Sequence, residues 1–142
     1  FGLAVIDEYS RYFAKKLDIH LLNETNKPLV RIANFANDAK EGMSRYNFKR
    51  GCLIGNLEQE VTLLPESHRQ QLLTTFDDWQ QKMTYCLQLA QQEKTISTSL
   101  DCKALASFFW LGWEGAIAKS KLTQNLAPID GFIDTFLHLI AK

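Results

Sequence analysis

The residues with the clearest chemical potential lie in Asn47-Phe48-Lys49-Arg50-Gly51-Cys52. A thiol at the start of a helical segment feels the positive end of the helix dipole and can accept from free backbone N–H groups. Lys49 and Arg50 add cationic charge. All three influences favour thiolate, the nucleophilic form of cysteine. The competing reading makes Cys52 a small apolar packing residue, since free cysteine is among the most buried residue types. Cys102 rivals it, because it also falls in the first turn of a helix and precedes Lys103, whereas Cys86 lies mid-helix on an apolar stripe and reads as inert core. Three cysteines without a C-x-x-C pair form no disulfide framework, so a reducing, cytoplasmic setting is expected.

A second set of residues suits reversible binding. Trp110, Trp113, Ile117 and Lys121 recur at three- and four-residue steps, which places them on one helix face. Aromatic walls with one or two polar groups describe a small-molecule pocket. Trp79, Met83, Asn56 and either Tyr9 or Phe13 would complete it. Glu114 sits beside that face, and a carboxylate in so apolar a segment needs a partner. Lys119, Lys121, a ligand or a second copy of the chain would serve. Plain core packing is the alternative for the whole aromatic stripe.

Other chemistries lack their signatures. The chain has no P-loop, no G-x-S-x-G and no H-E-x-x-H. His20, His68 and His138 fall on different predicted helices, and Asp77-Asp78 and Glu58/Glu60 read as solvated helix faces. An enzyme, a metal site and a cofactor are therefore not expected. Sixteen cationic residues balance sixteen anionic ones, which leaves no electrostatic footprint for nucleic acid. No apolar run approaches the ~18 residues of a membrane span, and no signal peptide is present, so no membrane partner is expected.

The elements that must position these groups are helical throughout. The first runs from the start of the chain to about Leu22. It shows helical spacing from its first residue with no capping Ser, Thr, Asp or Asn before it, as though cut from something longer. Asn26 and Pro28 begin a second helix carrying Leu29, Ile32, Phe35, Ala36 and Ala39. A short one from Gly51 carries Leu53, Leu57 and Val61 and ends before Pro65. The clearest period, Leu72, Phe76, Trp79, Met83, Cys86 or Leu87, and Ala90, predicts an amphipathic helix of about eight turns. Ser99 is the expected cap of the next helix, which is apolar nearly all round, and a last helix is built on Ile129 to Ile140. No alternating β-branched run competes. The reading is an all-α domain of about six helices.

The last two helices carry more apolar surface than a 142-residue domain covers. A two-fold homodimer pairing both with their symmetry mates would bury it in a four-helix interface. The expected contact residues are Phe109, Gly112, Gly115, Ala116, Ile129, Phe132, Ile133, Phe136 and Leu137. Each glycine costs a helix about 1 kcal/mol relative to alanine, which close approach of another helix would offset.

Three blocks, "FGLAVIDEY", "GCLIGNLEQEV" and "FFWLGWEGAIAKSKL", resemble TetR-family transcriptional repressors. The subgroup they are similar to includes the N-ethylmaleimide-sensing and acrylate-responsive repressors. The first block resembles the helix that follows the helix-turn-helix domain, and the match runs in order through nearly the whole chain. The resemblance implies an effector-binding and dimerisation domain whose DNA-binding unit would precede Phe1, so operator DNA would be reached only through that missing part. It also implies a sensing role for Cys52, with Lys121 as its partner and Lys119 a weaker candidate. Either an electrophile modifies Cys52, or a reversible ligand occupies the tryptophan face and Cys52 is a bystander. A structural homodimerisation module without a working effector site is the alternative to both.

Overall fold

The computed structural model describes residues 2–48 and 63–142. The predicted short helix from Gly51, with Cys52 and Asn56, lies outside the described residues. Within them the chain forms five helices: α1 (Gly2–Leu21), α2 (Pro28–Arg45), α3 (Glu66–Gln92), α4 (Cys102–Thr123) and α5 (Ala127–Ile140). Among the described residues the one β feature is an isolated antiparallel bridge between Ile96 and Ala141. It pins the C-terminal residues to the α3–α4 loop, and the Lys142 N–H donates to the Thr95 carbonyl at 2.9 Å.

Local chemistry sets the boundaries. Pro28 occupies the first turn of α2, where its fixed φ is already helical and no N–H is needed. Arg31 is buried on the next turn, donating from Nε to the Asn26 carbonyl (2.8 Å) and from Nη1 to the Leu21 carbonyl (3.1 Å). It thereby satisfies an orphan carbonyl at the end of α1. α4 is capped by Asp101, whose Oδ1 accepts from the Ala104 N–H at 3.1 Å. The expected cap, Ser99, is corrected. Its hydroxyl and its N–H both bond the Ser97 hydroxyl, which holds it inside the preceding turn. α4 ends at Gln124 in the left-handed conformation, and Asn125 Oδ1 then accepts the Ala127 N–H at 2.7 Å to start α5.

α3 is the spine. Its apolar face, Leu72, Trp79, Met83, Cys86, Leu87 and Ala90, is buried against α1 on one side and α4 on the other. α5 packs on α4 at Gly112, where a Cβ would overlap the Phe132 ring. The glycine that costs α4 helix propensity is thus accounted for by close approach within one chain. Gly115 differs: it is exposed, with open space where a Cβ would stand.

The expected interface residues differ in exposure within the single chain. Phe109 and Ile129 are fully buried, and Ala116, Ile133 and Phe136 are nearly so. The large apolar residues turned outward on α4 and α5 are Phe108 (56% exposed), Leu111 (70%), Leu122 (78%) and Leu139 (71%). Phe108, Leu111, Gly115, Ala118 and Leu122 follow a three- and four-residue period along α4, so they line one stripe.

Candidate functional site: an aromatic cleft between three helices

Among the described residues, a cleft of about 210 Å³ is bounded by α1, α2 and α4. α1 contributes Tyr9, Tyr12, Phe13 and Lys16, α2 contributes Phe35, Asp38, Ala39, Gly42, Met43 and Tyr46, and α4 contributes Trp113 and Ile117. The α1 residues recur at three- and four-residue steps, as do those of α2, so each helix presents one continuous strip to the cleft.

The rings form an edge-and-face wall. Tyr9 stacks on Phe13 with centroids 6.2 Å apart, Phe13 meets Phe35 edge-on at 5.8 Å, and Phe35 contacts Trp113 at 5.0 Å. Such pairings suit the ring quadrupole and add rigidity beyond the area they bury. Tyr12 and Tyr46 are exposed and mark the open side.

The polar side of the cleft is a charge cluster. Lys16 Nζ donates to Asp38 Oδ1 at 3.1 Å, and His20 Nε2 donates to Asp38 Oδ2 at 2.7 Å. Burial opposes both charged forms. The hydrogen bonds from His20 and Lys16, with their charges, outweigh it and hold the Asp38 carboxyl below its ordinary value. The same pairing with Asp38 outweighs burial at Lys16 and holds its ammonium above its ordinary value. Lys16 Nζ also lies 5.6 Å from the centre of the Tyr12 ring, a cation–π distance.

The sequence-predicted site residues divide into groups. Trp113 and Ile117 line this cleft, together with Tyr9 and Phe13. Trp110 and Glu114 line a separate depression between α3 and α4 with Leu73, Phe76, Gln80, Ser107 and Leu111. Trp79 and Met83 are core. Trp79 stacks obliquely on Phe13 at 4.4 Å, and its backbone carbonyl accepts the Trp110 Nε1–H at 3.0 Å. Lys121 sits half-buried in the last turn of α4, where a cation suits the helix dipole, and does not line the cleft. Lys16, Asp38, Phe35, Ala39, Met43 and Tyr46 were not anticipated as site residues. The signal that could have found them is the run Tyr9, Tyr12, Phe13, Lys16, His20 at helical spacing along α1.

Both described thiols are poor nucleophiles. Burial pushes the Cys86 thiol up to about 12, the Arg31 charge only partly offsetting it, and its Sγ donates to the Pro28 carbonyl at 3.3 Å. Burial, with the Asp101 carboxylate, also raises Cys102 despite its place at a helix start. Among the described residues no group of three or more His, Cys, Asp or Glu side chains could hold a metal ion, and no helix is long and apolar enough to cross a membrane.

Among the described residues the fold is a bundle of five helices with an aromatic cleft at one flank. Residues 28–136 match the family described as tetracyclin repressor-like, C-terminal domain. The chain belongs to the TetR family of transcriptional regulators, through that domain. It is 43% identical over 143 residues to the transcriptional regulator AcuR of Cereibacter sphaeroides, a match covering 100% of this chain and 65% of that protein. It is 29% identical over 133 residues to the HTH-type transcriptional repressor DhaR of a Mycobacterium species, covering 94% of this chain and again 65% of the relative. The chain therefore spans about two thirds of the length of these relatives. Among solved structures, the regulatory protein TetR from Rhodobacter sphaeroides superposes with a TM-score of 0.96 at 41% identity, over 99% of this chain and 74% of that one. The reduced form of Escherichia coli NemR superposes with a TM-score of 0.85 at 18% identity, over 100% of this chain and 73% of that one, and shares the fold.

Proposed function

We propose that this chain is the effector-binding and dimerisation domain of a TetR-type transcriptional repressor, and that a small molecule in the α1–α2–α4 cleft relieves DNA binding by an N-terminal domain preceding α1. The cleft carries the reading: it combines six aromatic residues with one charged pair in about 210 Å³, the make-up of a small-molecule site. An occupant would touch α1 directly, and α1 is the helix to which a preceding domain would be joined.

The outward stripe of Phe108, Leu111 and Leu122 on α4, with Leu139 on α5, supports homodimerisation by a four-helix interface. A contiguous exposed apolar strip of this kind marks a protein contact. Leu111→Glu is expected to convert the dimer to a monomer in sedimentation experiments without loss of helical signal. A monomeric parent chain, or a dimeric variant, counts against the interface.

For the effector reading, fragment binding to chain labelled with 5-fluorotryptophan is the direct experiment. Ligands of the cleft are expected to move the Trp113 fluorine resonance and leave that of Trp79 in place. A broad screen in which nothing moves Trp113 would favour a structural module without a working effector site. Covalent sensing at Cys52 keeps one supporting observation, the protonated and buried state of Cys86 and Cys102. Sub-stoichiometric N-ethylmaleimide at pH 7 is expected to label Cys52 alone, and equal labelling of all three thiols removes the case for a sensor.

A further inference from the structure

The depression between α3 and α4 is a second recess of about 230 Å³. Leu73, Phe76, Trp110 and Leu111 give it apolar walls, and Gln80, Ser107 and Glu114 are its polar groups. Glu114 is the one charged residue among them, and its Oε1 is buried. Trp110 offers ring surface only, because its Nε1–H is committed to the Trp79 carbonyl at 3.0 Å. No residue lines both this recess and the effector cleft. The Trp79 ring lies between them, meeting Phe76 at 5.1 Å and Trp110 at 5.3 Å here, and Phe13 of the cleft at 4.4 Å.

We propose that this recess binds a small monocation with an apolar body, a protonated amine or a quaternary ammonium, whose charge sits at the Glu114 carboxylate and against the Phe76 and Trp110 rings. A carboxylate with a buried oxygen attracts a cation more strongly than one in open water, because the local dielectric is lower. Aromatic faces add to that attraction through the ring quadrupole, and Trp is the best of them. An anion would meet a carboxylate and no cationic side chain. Lys103 lines the neighbouring depression, which shares Gln80 and also holds Asp77, and does not line this one. A neutral ligand would use the walls, Gln80 and Ser107, and gain nothing from the charge. Size fits as well. An apolar cavity of about 150 Å³ accommodates benzene, so about 230 Å³ holds one ring with a short ammonium arm.

The placement has a consequence for assembly. Leu111 also belongs to the outward stripe of α4, so an occupant lies at the edge of the surface proposed for a second copy. The recess does not depend on the effector reading. Trp110 reports on it and Trp113 on the cleft, so either reading can fail alone.

Benzylamine, benzyl alcohol and benzoate share one ring and differ in charge at pH 7. Fluorine NMR titration of the full chain labelled with 5-fluorotryptophan separates them, with resonances assigned from Trp110→Phe and Trp113→Phe. Benzylamine is expected to move Trp110, to leave Trp113 in place, and to bind about fivefold more tightly than benzyl alcohol, the size of one cation–π contact at an exposed site. Glu114→Gln, nearly the same shape, should abolish that preference, and Ser107→Leu should fill the recess and block all three probes at Trp110. Benzyl alcohol or benzoate moving Trp110 at as low a concentration as benzylamine overturns the cation assignment in the parent chain, whatever the variants do. So does a preference that survives Glu114→Gln. If no probe moves Trp110, or benzylamine moves Trp113 alone, the recess is no ligand site, and the effector cleft stands or falls on its own test.

Discussion

Trp110 and Trp113 stand three residues apart on α4, both almost fully buried, yet they belong to different regions of the molecule. Trp110 faces the seam with α3. Its indole N–H donates to the Trp79 carbonyl, and its ring contacts Trp79 at 5.3 Å and Phe109 at 5.0 Å. Trp113 stacks on Phe109 at 5.9 Å on one side and meets Phe35 at 5.0 Å on the other, where it becomes cleft wall. One seam is closed by ring packing and the Trp110–Trp79 hydrogen bond, and opens at its outer edge on a depression with Gln80, Ser107 and Glu114. The other is left open and furnished with a lysine, an aspartate and tyrosines. Less than one helical turn separates the packed seam from the cleft wall, because 3.6 residues per turn rotates Trp113 about 60° short of a full circle from Trp110.

The strongest test of that division is removal of a ring from the filled seam. Phe109 is fully buried and contacts Trp110, Trp113, Phe132 and Phe136. Phe109→Ala should cost about 3–5 kcal/mol in urea unfolding, the usual range for a core Phe→Ala cavity. A loss under about 1 kcal/mol would mean that the seam collapses around the gap and is not the rigid half of the molecule.

A paired truncation sharpens the comparison at lower cost. Trp110→Phe gives up a buried hydrogen bond, worth about 1 kcal/mol, and about the same again in packing. It should lose about 2 kcal/mol and leave ligand binding nearly intact. Trp113→Phe should lose less than about 1 kcal/mol, because the cleft absorbs the removed atoms, but weaken cleft ligands several-fold. Equal stability losses with equal binding losses would erase the distinction between the two seams.

The two regions were also unequally legible in the sequence. The α3 period from Leu72 to Ala90 foretold its buried face, because an amphipathic stripe on a long helix has one packing solution. The sequence placed Trp110 and Trp113 on one helix face but could not divide that face between the α3 seam and the cleft, since α4 is apolar almost all round and only tertiary packing decides which stripe meets α3, α5 or the cleft. The same ambiguity hid which apolar residues of α4 and α5 are exposed: Phe109 and Phe136 read like Phe108 and Leu111 in sequence, and the packing of α5 on α4 buries the first two and leaves the others outward. Lys16 and Asp38 were hidden for a different reason. Each reads as a solvated charge on its own helix, and their pairing spans 22 residues. The reactive candidate Cys52 lies outside the described residues, so its local reading stands as an expectation only.

A chemical contrast follows from the same geometry. Cys86 on the buried face of α3, where its Sγ meets the Pro28 carbonyl of α2, is pushed by burial up to about 12, against an ordinary thiol value of 9.0. A group whose folded pKa is raised contributes stability that is complete below the unfolded value and lost as pH rises towards the folded one. Between pH 9 and pH 12 the parent chain should therefore lose stability faster than Cys86→Ala, by about 1.4 kcal/mol per pH unit at most. The measurement is the difference in slope between the two proteins, which cancels the titration of tyrosines and lysines common to both. Parallel slopes would show that water reaches the thiol and that this face of α3 is not dry.

The smallest effect belongs to the cleft. The folded Asp38 carboxyl is held below its ordinary value of 3.8. Its contribution is present above the unfolded pKa and is lost as pH falls through the folded one. Asp38→Asn should cost less than about 1 kcal/mol near neutral pH, since the pair with Lys16 is a third exposed and partly screened by solvent. The variant and the parent should then converge in stability below pH 3.8. A cost of several kcal/mol would make the cluster a structural clasp between α1 and α2. A small cost that disappears in acid fits a part-exposed ion pair and leaves the stability of the domain to the ring-filled seam on the other side of α4.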